Sequence, residues 1–285
     1  MPEGDTIHRT AGRLKPVLEG KTVRAFAAPR LVAAGPRPGT AIERVEAVGK
    51  YLLVRFGDGT TLETHMKMTG SWHIYQAGQR WRRSKRSAMA TIETEDGWVA
   101  VCFSAPHVKL IRTDRRPSGL VGHRPAGAAS TDHLGPDLCL PAPDIEEAVR
   151  RFALRTADTP AAVALLDQRI CCGVGNVYKS EVLFACGVHP ATPVGSLDVS
   201  TRRRLVETAA TMLQQNLGSG PRVTVVVDGR PGLAVYGRVG LPCIRCSGPV
   251  SSGTHGVHAR STFWCSTCQP EPGAQMDSDT VVVGV

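Results

Sequence analysis

The first residues of the chain are of the types that covalent chemistry on a sugar requires. Removal of Met1 would leave Pro2 with a free secondary α-amine. An α-amino group titrates at about pH 8, so a useful fraction is unprotonated at neutral pH. Such an amine can attack a carbonyl-like sugar carbon and form an imine, and Glu3 is placed to move protons. Because many unrelated proteins begin with Met-Pro, this start indicates a nucleophile only together with other features.

Four cysteines near the other end have the spacing of a metal site. Cys243-x2-Cys246 is followed after eighteen residues by Cys265-x2-Cys268, which is typical of one structural zinc ion. Four thiolates complete a tetrahedron, so this zinc would support folding and take no part in chemistry. Two disulfides or a coincidence are the alternatives. Arg260 lies on the returning strand and suits phosphate recognition, although a solvated surface arginine is the other interpretation.

A glycine-rich turn, Gly173-Val-Gly175-Asn176, joins two helical patterns. Glycines allow a ligand to approach the backbone, and a helix that starts after the turn directs free N–H groups at an anion. Phosphate binding and an ordinary capped turn both remain open on this pattern alone.

Composition favours a polyanionic partner. The chain of 285 residues has 34 Lys+Arg against 25 Asp+Glu and a net charge of +9, which suits phosphate contacts. No apolar run approaches the ~20 residues that span a bilayer, and the N-terminus lacks a signal-peptide pattern. We therefore expect a cytoplasmic protein with a polyanionic partner and no membrane partner. The five remaining cysteines are expected to be buried and unreactive, with a redox pair at Cys171-Cys172 as the alternative.

Periodicity divides the chain into a β-rich and a helical part. A helix is predicted from Thr6 to Glu19, capped by Asp5 or Thr6. Strands are predicted at 51–56, 60–65, 88–92, 98–103 and 108–111. Helices are predicted at 144–154, after an N-cap at Thr159, at 177–186 and at 198–216. The predicted organisation is a β-domain with a leading helix at 1–125, a linker at 126–143, a helical domain at 144–225, a zinc ribbon at 226–269 and a disordered tail at 270–285.

Taken together, the motifs resemble those of the formamidopyrimidine-DNA glycosylase/endonuclease VIII family of base-excision repair enzymes. The resemblance covers nearly all of residues 1–269. It rests on the Met-Pro-Glu-Gly start, Gly49-Lys50 before a strand, His65-Met-Lys-Met-Thr-Gly70, Leu-Leu-Asp-Gln with Gly-Val-Gly-Asn, Tyr236-Gly-Arg, and the zinc pattern. It implies an α+β multidomain fold with an N-terminal β-sandwich, a helix–two-turn–helix domain and a four-cysteine zinc ribbon, with damaged DNA bound between the lobes.

The resemblance also implies roles for individual residues. Pro2 matches the nucleophile at C1′ of the damaged nucleotide, Glu3 a proton-handling residue, and Lys50 a lysine that assists base loss. Asn176 and Arg260 match residues that grip phosphates. Met68 falls where the family inserts a wedge into the vacated stack, with a core methionine as the alternative.

The expected activity is that of a bifunctional glycosylase and abasic-site lyase. The Met-Pro-Glu-Gly start resembles the endonuclease VIII side, which acts on oxidised pyrimidines, and the Arg-Phe pair of the oxidised-purine branch is absent from Ser104–Lys109. Thr6 stands where many relatives have a second glutamate, which leaves the lesion preference open. We expect a monomer without a small-molecule cofactor. The alternatives are an 8-oxoguanine/formamidopyrimidine-type enzyme, a non-catalytic binder of damaged DNA, and a zinc-ribbon transcription or RNA-binding factor.

Overall fold

The structure is a computed structural model that describes residues 2–32, 35–112, 130–257 and 259–273. The chain divides into two compact units. The first contains residues 1–144, 171–174 and 213–220, and the second contains residues 145–170, 175–212 and 221–285. Residues 113–125 of the predicted N-terminal domain, 126–129 of the predicted linker and 274–285 of the predicted tail lie outside the described residues. The domain boundaries therefore remain predictions.

The first unit opens with helix α1 (Gly4–Leu18). Its apolar residues at helical spacing are buried, and Ile7, Leu14 and Leu18 among them are at most 1% exposed. Burial of such side chains contributes about 1.5–3 kcal/mol each. The helix starts two residues before the predicted Thr6, because Glu3, and not Asp5 or Thr6, is the N-cap residue.

Two four-stranded antiparallel sheets form the rest of this unit, which confirms the predicted sandwich. One sheet has the order β1-β6-β7-β5 and the other β2-β3-β4-β8. The strands are β1 (Val23–Ala27), β2 (Ile42–Val48), β3 (Tyr51–Phe56), β4 (Thr60–His65), β5 (Ser71–Gln76), β6 (Ala88–Thr94), β7 (Trp98–Phe103) and β8 (His107–Arg112). Their inward residues pack with the apolar face of α1 in one core. The sequence predicted five of these strands, β3, β4, β6, β7 and β8, from short runs rich in apolar and β-branched residues between turn residues. It did not predict β1, β2 or β5, in which at most two positions each are fully buried.

The described residues of the second unit contain four α-helices and two hairpins. The helices are α2 (Ile145–Ala153), α3 (Ala161–Leu166), α4 (Asn176–Cys186) and α5 (Val199–Gln215), and the last turn of α5 belongs to the first unit. The predicted cap at Thr159 is wrong: Pro160 is the N-cap residue of α3 and adopts an extended conformation with ψ of 140°. The hairpins are formed by β9 (Val225–Val227) with β10 (Arg230–Gly232), and by β11 (Val250–His255) with β12 (Arg260–Cys265).

A buried carboxylate on α4 organises the segment between β10 and the cysteine hairpin. Glu181, 1% exposed, accepts the backbone N–H groups of Ala234 at 2.7 Å, Val235 at 2.9 Å and Tyr236 at 2.7 Å. It also accepts the hydroxyl of Thr224. A buried charge is tolerated only when such donors replace water, so Glu181 holds the Tyr236-Gly-Arg segment in place.

Within the described ranges, no helix is both long and apolar enough to cross a membrane.

We expect Glu181→Gln to destabilise the protein. The amide keeps one acceptor oxygen but turns an N–H2 group toward backbone donors, and an unsatisfied buried polar group costs about 1–3 kcal/mol. Urea unfolding should show a loss of that size. The control is Glu207→Gln, because the side chain of Glu207 is 52% exposed; its effect should stay within about 0.5 kcal/mol. Equal effects of the two changes would contradict the role of Glu181.

Candidate active site

The N-terminus is held in place by close contact with the segment 171–174. The backbone N–H of Gly4 donates to the carbonyl of Gly173 at 2.9 Å. A Cβ atom on Gly4 would lie 2.7 Å from the Cα of Gly173 and 2.8 Å from the Sγ of Cys139, so only glycine allows this approach. Glu3 immediately before it is fully buried, while Pro2 is half-buried. The fold therefore fixes the direction in which the N-terminal residue points.

Lys50 is attached to the same segment. Its half-buried side chain donates to the carbonyl of Val174. Gly49 before it has a φ of +56° and packs against Cys172, where a Cβ would lie 2.8 Å from the cysteine Cβ. Residues 171–174 thus contact both the N-terminal segment and Lys50, whose catalytic role the family resemblance implies.

Asp137 is a site residue that the sequence analysis missed. It is 8% exposed, and its Oδ2 accepts the N–H of Gly49 at 2.7 Å and lies 2.9 Å from Nε2 of His8. Its Oδ1 accepts the N–H of Cys139 at 2.9 Å. Asp137 therefore links helix α1 to the turn that carries Lys50. The surrounding sequence is rich in Pro and Gly and gave no sign that a linker residue would be buried.

A cavity of about 450 Å³ opens beside Pro2 in the first unit. Thr6, at the position where the family resemblance suggests a glutamate, also lines it. A hydroxyl in place of a longer carboxylate leaves room and removes a negative charge from the wall. The remaining lining residues come from α1, from the turn before β5, from β5 and from the loop after it: Thr10, Arg13, Met66, Gly70, Ser71, Trp72, His73, Ile74, Tyr75, Gln79 and Arg82.

The lysine is accompanied by a neutral histidine. Burial, together with the positive charges of Lys67 and Lys50, lowers the pKa of His65 to about 4. His65 is therefore uncharged at neutral pH, and its Nδ1 accepts the N–H of Lys67 at 3.0 Å. The proton must then be on Nε2. Two residues before His65 on β4, Glu63 is fully buried, and its Oε1 lies 2.7 Å from Nε2 of His107.

Met68 lies on the turn between β4 and β5 and is 64% exposed. The core interpretation of this residue is therefore wrong, whereas Met66, 3% exposed, fills that place. The use of Met68 as a wedge stays a prediction.

In the second unit, Lys179 connects Asn176 to the strand that carries Arg260, and these two residues are predicted to bind phosphate. Lys179 is fully buried. Its Nζ donates to the Oδ1 of Asn176 at 3.4 Å and to the carbonyl of Ser261 at 2.8 Å. Asn176 is the first residue of α4, one position earlier than predicted, and Ser261 follows the exposed Arg260 on β12. Because Oδ1 faces the lysine, the amide N–H2 of Asn176 is turned away from it.

The four cysteines of the second unit form one cluster. Their Sγ atoms all lie within 4.8 Å of one another, with 3.8 Å between Cys243 and Cys268 and 3.4 Å between Cys246 and Cys265. A tetrahedron with metal–sulfur bonds of about 2.3 Å has edges of about 3.8 Å, so the sulfurs are at metal-binding distance. The separations are too long for the disulfide alternative, since an S–S bond measures about 2.0 Å.

The other cysteines are mostly inert. Cys102, Cys139, Cys171 and Cys172 are at most 1% exposed and Cys186 is half-buried. Burial raises the pKa of both Cys102 and Cys171 to about 12, so the reactive thiolate is scarce at neutral pH. This supports the unreactive interpretation over a redox pair.

The fold and the site define a class of protein, and similarity to known sequences confirms it. Residues 1–120 match the formamidopyrimidine-DNA glycosylase N-terminal domain, and residues 134–226 match the formamidopyrimidine-DNA glycosylase H2TH domain. The chain is 37% identical to the probable endonuclease 8 2 of Streptomyces coelicolor, over 96% of this chain and 98% of the relative. It is 36% identical to the DNA-(apurinic or apyrimidinic site) lyase Nei2 of Mycolicibacterium smegmatis, over 94% and 99%.

Solved structures agree with this assignment. The MutM (Fpg) protein of Thermus thermophilus matches with a TM-score of 0.70 and 28% identity, over 95% of this chain and 100% of that one. The Lactococcus lactis Fpg bound to DNA with an abasic site has the same fold, with a TM-score of 0.74 at 21% identity over the same shares. The chain belongs to the formamidopyrimidine-DNA glycosylase/endonuclease 8 family of DNA-repair enzymes, as the motifs predicted.

The contact at Gly4 can be tested within a single helix. In Gly4→Ala, the new methyl group has no room against residue 173 and the cysteine beside it, so the free energy of unfolding should fall by about 1–3 kcal/mol. The control is Gly12→Ala, because a Cβ there has no neighbour within 4 Å. This second change should stabilise the protein by up to about 1 kcal/mol through helix propensity. Urea unfolding of both variants checks the opposite signs, and a stabilising Gly4→Ala would refute the close packing.

Proposed function

We propose that the protein is a bifunctional DNA glycosylase and abasic-site lyase of base-excision repair, with oxidised pyrimidines as its preferred lesions. The observation that carries the proposal is that Pro2 lines a cavity of about 450 Å³, which is large enough for a single base. The buried Glu3 precedes the Gly4 contact with residues 171–174, and Lys50 is bonded to that same segment. A base must leave the stack to be reached, and a cavity of this kind receives it.

The chemistry follows from the unprotonated amine of Pro2. The nitrogen attacks C1′ of the flipped nucleotide, the glycosidic bond breaks, and the base leaves with the bonding electron pair and a proton. Opening of the sugar ring gives an iminium between Pro2 and C1′, with the ring oxygen protonated as the C4′ hydroxyl. Glu3 is placed to exchange that proton, and Lys50 to protonate the departing base or contact phosphate.

Strand cleavage uses the same covalent intermediate. The iminium acidifies the C2′ hydrogen, whose loss expels the 3′ phosphate by β-elimination. A second elimination expels the 5′ phosphate, and hydrolysis of the iminium returns the free amine. The strand is thus cut on both sides of the lesion.

A polar and a charged side chain of the second unit would bind phosphates of the distorted DNA backbone. The amide of Asn176 and the exposed guanidinium of Arg260 are suited to phosphate oxygens. The net charge of +9 acts in the same direction. Met68, exposed on its turn, would fill the gap left by the extruded base.

The four cysteines would hold one zinc ion. Sulfur separations near those of a tetrahedral site and four thiol ligands support this choice of metal. Zinc would tie the segment of Cys243 and Cys246, before β11, to the end of β12 and so support the strand that carries Arg260. A monomeric state and a cytoplasmic location remain predictions.

Borohydride trapping tests the covalent step. With abasic-site DNA, reduction should link the protein to DNA through its N-terminal peptide, because only an amine at that position forms the imine. Protein with one extra residue before Pro2 is the matched control and should give no adduct, since the nitrogen is then an amide. Denaturing gels and peptide mass spectrometry read both results.

Protein from which Met1 is verified as removed, but which gives no adduct, would rule out the proposed activity. Tight binding of abasic-site DNA without cleavage would instead identify a non-catalytic binder of damaged DNA.

Metal content tests the zinc assignment. Native mass spectrometry of reduced protein should find one zinc per chain. Cys246→Ser should lose the metal and lower the thermal midpoint and DNA affinity together. Cys186→Ser is the matched control, because Cys186 lies outside the cluster, and it should keep its zinc. A metal-free wild-type protein with full DNA affinity would contradict a structural zinc.

A further inference from the structure

One wall of the cavity beside Pro2 is a row of polar side chains on β5. Ser71, His73 and Tyr75 alternate along this strand and all three line the cavity. A strand places every second side chain on the same face. The row is therefore a property of one strand, which lies at the edge of its sheet and pairs with β7, and not of a loop.

These side chains form a continuous chain of hydrogen bonds. The backbone N–H of Arg82 donates to the hydroxyl of Tyr75 at 3.1 Å. That hydroxyl lies 3.2 Å from Nδ1 of His73, and Nε2 of His73 lies 3.1 Å from Oγ of Ser71. The chain leads from a backbone amide, which can only donate, to a serine at the cavity.

The backbone N–H of Arg82 can only donate, and this sets the direction of the hydrogen-bond chain. Tyr75 is 3% exposed, so its hydroxyl hydrogen needs an acceptor within the protein, and Nδ1 of His73 provides it. A neutral imidazole with Nδ1 as acceptor carries its hydrogen on Nε2, which then donates to Ser71. The serine oxygen is an acceptor in this arrangement. Its own hydrogen meets no acceptor in the described part of the chain.

The charges of the cavity agree with this direction. Burial and the positive charges of Arg83, Arg13 and Arg82 hold the pKa of His73 below its ordinary value of 6.5, so the ring is neutral at physiological pH. Two of these arginines, Arg13 and Arg82, also line the cavity. Reversal of the chain would leave the buried Tyr75 hydroxyl hydrogen without a partner. In the direction from Arg82 to Ser71, each donor polarises the next one and strengthens the last.

We propose that Ser71 recognises the extruded base as a hydrogen-bond donor, and that Tyr75 and His73 are the positioning residues that make it one. The inference rests on the proposed function and deepens it. The cavity selects lesions that present a carbonyl oxygen over lesions of the same size that present an amino group at that place. 5-Hydroxyuracil and 5-hydroxycytosine form such a pair, because they differ in a carbonyl against an amino group at C4.

The test is a comparison of base release from two oligonucleotides that differ only in this lesion. Single-turnover rates for each variant are divided by the rate at which the same variant incises an abasic site, a substrate without a base. The corrected rate for 5-hydroxyuracil divided by the corrected rate for 5-hydroxycytosine measures how strongly a variant prefers the lesion with the carbonyl group. The change of this ratio between variants is independent of how readily each base leaves.

Ser71→Ala should reduce the preference for 5-hydroxyuracil by about 2–10-fold, the value of one neutral hydrogen bond. Ser71→Thr keeps the hydroxyl and should keep the ratio. Tyr75→Phe releases Nδ1 of His73, so both ring tautomers become accessible and the ratio should shift toward that of Ser71→Ala. Ser251→Ala, a serine change on β11, is the control and should match wild type.

An unchanged ratio in Ser71→Ala would overturn the inference, as would a Tyr75→Phe ratio equal to that of wild type. Protein that incises abasic sites but releases neither base would also overturn it and leave the lyase intact. Protein without abasic-site incision and without a borohydride adduct would overturn the proposed function itself.

Discussion

The segment of residues 171–174 packs closely against two other segments of the candidate active site, the start of helix α1 and the turn that carries Lys50. Gly4 approaches it from helix α1 and Gly49 from the turn before β3, and each has only a hydrogen where a methyl group would collide. The carbonyls of Gly173 and Val174 then accept the N–H of Gly4 and the ammonium of Lys50. Backbone carbonyls of this segment therefore hold Gly4 and Lys50, and the side chain of Cys172 packs against Gly49.

Buried charges in both units follow one rule. Backbone groups form hydrogen bonds with three buried side chains, Asp137, Glu181 and Lys179. These bonds replace water that the side chains lost on folding. Because removal of water from a charge is costly, each such group fixes the segment that supplies its partners. The result is a pair of units in which loops, and not only helices and strands, have defined positions.

Much of this architecture is predictable from the sequence, because it depends on local periodicity. The apolar and β-branched runs of β3 and β4 on either side of Gly57-Asp58-Gly59, and the apolar stripe of α1, identify those elements without knowledge of the fold. The cysteine spacing identifies its cluster in the same way. The family resemblance gathers Pro2, Glu3 and Lys50 into one hypothesis.

The residues that escape such reasoning are those whose partners are far away in the chain. Asp137 acts on Gly49 and His8, and no local pattern signals this. The hydrogen-bond chain of β5 begins at the backbone of Arg82, in a loop that the sequence presents only as a run of basic residues. The cap of α3 was misplaced by one residue, since a proline with extended ψ takes the capping place that a threonine would normally have.

The composition of the first unit has a consequence for the order of events during synthesis. Its parts come from residues 1–144, 171–174 and 213–220. Arg9 of α1 donates to the carbonyl of Gly220 at 2.8 Å, and Gln214 donates to that of Leu140 at 2.7 Å. Contacts so distant in the chain form late, because a long loop must close first. Gly173, the hydrogen-bond partner of Gly4, must leave the ribosome before the first residues can take their position in the folded unit, so a shorter nascent chain lacks the contact that places Pro2.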